Sequence, residues 1–180
     1  MLSSTIPSLT ALIEKEFGNL NLIQLNWKPS PEQWSIGQCL DHIIVSNGKY
    51  LPLLKTIFEG KHKTTFWERN NPLCNYTGKQ MIKTLGKNVI KKYKSPRLFF
   101  PSESTISQNI ITDFKTRQAE IFSLFIELEK EKYSEYIITS PVASLITLKL
   151  HDLIELLIVH EERHIDQALR VKNNNNFPNP

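Results

Sequence analysis

Between about Leu148 and Lys172, apolar side chains recur at helical spacing on two sides of the same segment. Leu153, Leu156, Leu157 and Val171 fall within about 60° of a line through His160, and Ile154, Ile158, Ile165 and Leu169 form a second strip at about 120° to 180°. So broad an apolar arc must be covered from two directions, by a thick helical core or by a second subunit. The rest of the chain has to supply that cover.

It does so with three further helical patterns. The first runs from about Ile6 to Leu25, with Pro7 in its first turn and Leu9, Leu12, Ile13, Phe17, Leu20 and Ile23 along one stripe. The second starts after Ser35, whose hydroxyl caps the helix while Gln38 reaches back, and it ends near Gly60 with a kink expected at Pro52. The third covers about Glu103 to Lys132, and the fourth about Leu148 to Lys172 with Thr147 as its cap. Between the second and third lies a long connection, residues 61–103, with a turn at Asn70-Asn71-Pro72 and a shorter helix from about Thr77 to Tyr93. The expectation is all-α: an up-and-down four-helix bundle forming a single domain over residues 1–172, with a disordered polar tail at 173–180.

Charge narrows the function classes only when read by position. The formal charge is +4, too small for a dedicated nucleic-acid binder. Residues 61–100, however, hold ten basic side chains against Glu68 alone, a segment charge of +9, so the other 140 residues sum to −5. No apolar run approaches the roughly 18 to 20 residues needed to span a bilayer, and two cysteines, Cys39 and Cys74, are too few for a disulfide framework. With no basic-then-apolar leader, a cytoplasmic location is expected, with no membrane association.

The chemistry concentrates in His160-Glu161-Glu162-Arg163-His164-Ile165-Asp166-Gln167. His160 and His164, four residues apart, project one turn from each other onto the leucine face. Two imidazoles buried there need partners for every ring nitrogen, and a shared divalent metal satisfies both at once. His42, at the edge of the second helix's apolar face, is the best third ligand; His151 faces the opposite side of its helix, and His62 falls in the basic connection. Three inward histidines leave coordination positions for water or substrate. The spacing His160-Glu161-x-x-His164 also occurs in zincin proteases. That reading fails for want of a downstream ligand and of a sheet to hold a peptide.

Trp34-Ser35-Ile36-Gly37-Gln38-Cys39-Leu40-Asp41-His42-Ile43, the segment Tyr93 to Pro101, and the run from His160 to Gln167 together resemble the DinB-like superfamily over roughly residues 5 to 172. The resemblance implies a four-helix bundle, commonly dimeric, with a divalent metal on His42, His160 and His164. Characterised members include transferases and isomerases that use a low-molecular-weight thiol, such as bacillithiol or mycothiol, and hydrolase-like proteins. What it implies here is a transferase or hydrolase acting on a small molecule, with zinc, nickel or iron as cofactor and, for the transferase reading, a low-molecular-weight thiol as co-substrate.

Around the histidines, Gln167 is placed to hydrogen-bond a ligand ring, and Ser46 and Lys49, one and two turns from His42, are candidates for contacting an anionic substrate. Cys39 reads best as a small buried hydrophobe. Arg163, Glu161 and Glu162 read as an exposed charged face. The broad apolar arc favours a homodimer. The alternative is a non-catalytic binding or stress-response module that uses the basic 61–100 surface.

Overall fold

The structure is a computed structural model that describes residues 2–86, 97–133, 136–141 and 143–179. Its elements in chain order are α1 (Thr5–Phe17), α2 (Leu22–Asn26), α3 (Ile36–Phe58), α4 (Phe66–Asn70), α5 (Cys74–Leu85), α6 (Ile110–Leu128), the strands β1 (Ile137–Ser140) and β2 (Ala143–Lys149), and α7 (Leu150–Lys172). Short 3₁₀ turns lie at Leu2–Ser4, Arg97–Phe99 and Glu131–Tyr133. The protein is thus mostly helical, with one small two-stranded sheet among the described residues.

Local chemistry explains most boundaries. Ser35 accepts from the Gln38 backbone while the Gln38 side chain accepts from Ser35, the reciprocal cap expected from sequence, and α3 then runs unbroken through Pro52. The expected single helix over 6–25 is two, because Gly18 ends α1 and Asn21 opens α2 with a capping box of its own to Gln24. Of the helix expected over 77–93, α5 accounts for the part up to Leu85; the rest falls on residues outside those described.

Two expectations fail for tertiary reasons. Residues 103–109 do not begin the third helix; with residues 97–102 before them they form a strap along α3, with backbone polar groups satisfied by side chains elsewhere. Asn26 donates to the Ile106 carbonyl at 2.8 Å and accepts from the Ile106 amide at 2.7 Å. Gln108 donates to the Leu20 carbonyl at 2.7 Å, and Ile106 itself is buried against Gly37. Second, Thr147 is not a helix cap but a buried strand residue. β1 and β2 pair antiparallel, Ile138 opposite Leu148 and Thr139 opposite Thr147. The Thr147 hydroxyl accepts from Asn71 at 2.8 Å and its carbonyl accepts from the Thr77 hydroxyl, which fastens the hairpin to α5. Strands this short carry too few residues for alternation to separate them from a helix start.

The tail also departs from expectation. Trp27 and Phe177 meet edge to face at 5.6 Å, and Gln24 donates to the Pro178 carbonyl at 3.0 Å, so residues up to Pro178 dock against α2 instead of fraying.

α3 packs against α6 and α7, and α1 against the same two helices. The core they enclose divides into two apolar clusters. One contains Tyr50, Leu54, Ile121, Phe125, Leu153 and Ile158; the other contains Ile13, Phe17, Leu40, Ile43, Phe114 and Ile165. On three of the contributing helices buried polar residues mark the boundary: Ser46 and Asn47 on α3, Gln118 on α6, Glu161 on α7. A polar layer therefore crosses the core at mid-height. Ile154, Ile158 and Ile165 are at most 4% exposed within one chain, so the broad apolar arc of α7 is covered without a second subunit.

Candidate metal centre

His42 comes from the second turn of α3, and His160 and His164 from successive turns of α7. One ligand atom from each ring can be chosen so that all three lie within 4.8 Å of one another. Ring centroids are 5.0 Å apart for His42 and His160, 4.4 Å for His42 and His164, and 4.6 Å for His160 and His164. Trp34, immediately before the cap of α3, lies against His42 at 4.7 Å and His164 at 5.7 Å. The helical wheel had selected the same three histidines, and the fold brings them together.

The remaining ring nitrogens decide what the cluster can do. His42 Nδ1–H donates to the Phe99 carbonyl, and His164 Nδ1–H donates to Gln167 Oε1 at 3.1 Å. Both bonds place the proton on Nδ1 and leave the Nε2 lone pair facing the other rings. His42 Nε2 and His160 Nε2 stand 3.2 Å apart. With the His42 lone pair on that line, His160 Nε2–H is the donor in the absence of a metal. Burial holds all three imidazoles neutral: desolvation lowers His42 against the opposing pull of the Phe99 carbonyl and Asp41, and lowers His160 to about 3 and His164 to about 2, with the neighbouring rings and Arg163 disfavouring a further charge there. Neutral rings with fixed Nδ1–H donors and converging lone pairs fit a divalent transition metal.

The strap supplies half of this arrangement. The Phe99 carbonyl sits in the 3₁₀ turn at Arg97–Phe99, and three residues later the Ser102 amide and hydroxyl donate to Asp41 at 2.5 and 3.0 Å. Asp41 precedes His42 on α3, so one turn of helix both anchors the strap and receives its carbonyl. Sequence reasoning did not find this contact, because a backbone carbonyl has no side-chain signature.

A family model described as the DinB superfamily matches residues 9–168. The chain belongs to the DinB superfamily. No curated protein and no solved structure matches the chain. The matched span contains all three histidines of this DinB-superfamily chain, and the His160 to Gln167 run lies wholly inside it.

The other expected site residues take distinct places. Ser46 is buried, and its hydroxyl has no hydrogen-bond partner; Lys49 is half-buried on the next turn of α3. Gln167 holds His164 as described. Cys39 is fully buried and free, its thiol pushed up to about 12 by desolvation, so it is core and not a thiolate ligand.

Glu161 corrects the reading of an exposed charged face. It is 0% exposed and accepts from Asn47 Nδ2 at 2.5 Å and Gln118 Nε2 at 2.7 Å, joining α3, α6 and α7 in the polar layer. Burial raises its carboxyl to about 7 against the opposing pull of the two amides. The signal was present: Glu161 stands three residues after Ile158 and four before Ile165, on the second apolar strip. Arg163 departs from the same reading, being half-buried with Nη1 shut away from solvent.

Proposed function

We propose that this DinB-superfamily chain is a metal-dependent enzyme, a transferase or hydrolase acting on a small molecule at a divalent centre held by His42, His160 and His164. The single observation that carries the reading is the disposition of the rings: three neutral imidazoles converge on one point while the Nδ1 protons of two are occupied outward. A divalent ion there supplies Lewis acidity that activates a thiol or water nucleophile at neutral pH. Zinc, nickel and iron all suit imidazole ligands.

The chain's own residues then have separate tasks. The Phe99 carbonyl and Gln167 orient His42 and His164. Trp34 covers two of the rings and keeps bulk water from that side. Ser46, a buried hydroxyl with an unused hydrogen-bonding capacity one turn from His42, and Lys49 are proposed to contact the substrate. By family likeness the nucleophile is a low-molecular-weight thiol, the four long helices form an up-and-down bundle, and the protein works as a cytoplasmic homodimer.

Elemental analysis of the purified chain tests the centre directly. About one transition-metal ion per chain is expected in the wild type, with loss in His160→Ala. Negligible metal in both removes the proposal.

A second reading rests on a different surface. A groove of about 270 Å³ between α5 and β2 is lined by Tyr76, Met81, Leu85 and Ile146 among others, and Phe66, Leu73 and Leu145 are more than half exposed nearby in the chain. Lys79 and Lys83 are exposed on α5. A binding module using this face loses its partner on charge reversal of those lysines and keeps it in His42→Ala. Lys87, Lys91 and Lys92, which belong to the same basic segment, lie outside the described residues.

A further inference from the structure

Arg163 is the one cation of α7 placed between the two ligands, three residues after His160 and one before His164. On α7 it stands one turn from His160, at the i,i+3 spacing that makes side chains neighbours, and its Nη1 is buried with no hydrogen-bond acceptor among the described residues. Among the described residues no carboxylate forms an ion pair with it. Two acids next to the ligands in sequence are held by other groups, Asp41 by Ser102 and Glu161 by Asn47 and Gln118. A guanidinium cannot relieve its burial by losing a proton, so a buried donor left unfilled by the described residues favours an anionic acceptor, which a bound ligand can supply. The need grows when a dication joins three neutral imidazoles, because the centre then holds excess positive charge.

We propose that Arg163 is the anion-binding residue of the three-histidine centre, and that the small molecule bound there carries an oxyanion, a carboxylate or a phosphate, seated on this guanidinium while another of its atoms reaches the metal. This rests on the metal-centre reading and names the class of substrate for it. Ser46 offers a second unsatisfied polar atom on the facing helix, one turn from His42, as a donor to the same ligand. The arrangement selects charged substrates over neutral ones of equal size: an uncharged analogue leaves the guanidinium unpaired.

The experiment uses the full chain loaded with Co²⁺, whose visible spectrum reports changes at the centre. Acetate, inorganic phosphate and uncharged acetamide are titrated into the wild type, Arg163→Met and Arg163→Lys, with circular dichroism and cobalt content measured for each. In the wild type, acetate or phosphate perturbs the spectrum and acetamide does not; whichever anion binds more tightly identifies the oxyanion class. In Arg163→Met that anion binds at least about tenfold more weakly, the scale of a charge-assisted hydrogen bond. Arg163→Lys falls between. Equal anion affinity in all three proteins at equal cobalt content overturns the proposal, as does equal response of the wild type to acetate and acetamide, which needs no variant to fold. If the wild type takes up no cobalt, or His160→Ala takes up as much, the metal-centre reading fails and this assignment falls with it, whereas loss of anion discrimination at full cobalt content overturns the role of Arg163 alone.

Discussion

Replacing Glu161 tests the polar layer at its centre. The carboxyl is fully buried and receives one amide from α3 and one from α6, while Asn47 Oδ1 and Gln118 Oε1 are buried without partners. Glutamine keeps the shape and one acceptor, and its amide can donate to either orphaned oxygen once that neighbouring amide turns over. A protonated carboxyl offers the same acceptor and donor. At pH 5, in chelator-treated protein, Glu161→Gln is therefore expected to lie within about 1 kcal/mol of the wild type. Glu161→Ala leaves two buried donors unpaired at about 1–3 kcal/mol each and is expected to lose about 4 kcal/mol.

The same carboxyl sets a pH dependence. Its pKa is about 7 in the folded chain against an ordinary 4.5, so between those values the folded state holds a proton that the unfolded state has released. Stability then falls as pH rises through that window and levels off above it. From pH 5 to 8 the wild type is expected to lose roughly 2.5 kcal/mol relative to Glu161→Gln. Urea unfolding of the three proteins at four pH values reads both effects. A flat difference between wild type and Glu161→Gln across that range, or a loss in Glu161→Gln as large as in Glu161→Ala at pH 5, refutes the account of a neutral, hydrogen-bonded carboxyl.

Three further outcomes follow from the contacts around the centre. Asp41→Ala frees the Ser102 amide and hydroxyl and with them the Phe99 carbonyl over His42; zinc affinity measured against a chromophoric chelator should fall about tenfold or more while the helical spectrum is kept. Gln167→Ala removes the acceptor from His164 Nδ1–H and should weaken zinc to a similar extent, with Gln167→Glu restoring it, because a carboxylate also accepts that proton. Gly37→Ala places a Cβ at 2.9 Å from the Ile106 Cβ, so the strap must shift; a loss of about 1–3 kcal/mol by thermal unfolding is expected, and an unchanged midpoint would show that the strap does not pack tightly on α3.

What the sequence discloses and what it conceals divide along a physical line. The inward-facing placement of each of the three histidines on its own helix, the Ser35 and Gln38 cap, and the long helices α3 and α7 were legible because each depends on residues within a turn or two of one another, where periodicity and capping act. The strap and the hairpin were not, since Asn26 with Ile106 and Asn71 with Thr147 join positions 80 and 76 residues apart. Backbone that would otherwise extend a helix is satisfied there by side chains no local pattern can nominate. Glu161 belongs to neither class. Its place on an apolar strip was visible, yet a glutamate there has two meanings, an exposed charge at the strip's edge or a buried carboxyl with partners, and only Asn47 and Gln118 decide between them. The same logic applies to those two residues: Asn47 three residues before Tyr50 and Gln118 three before Ile121 are polar interruptions of apolar stripes. When interruptions of that kind recur on three helices at the depth of a histidine pair, they are best read together, as one layer that the site requires and that divides the core in two.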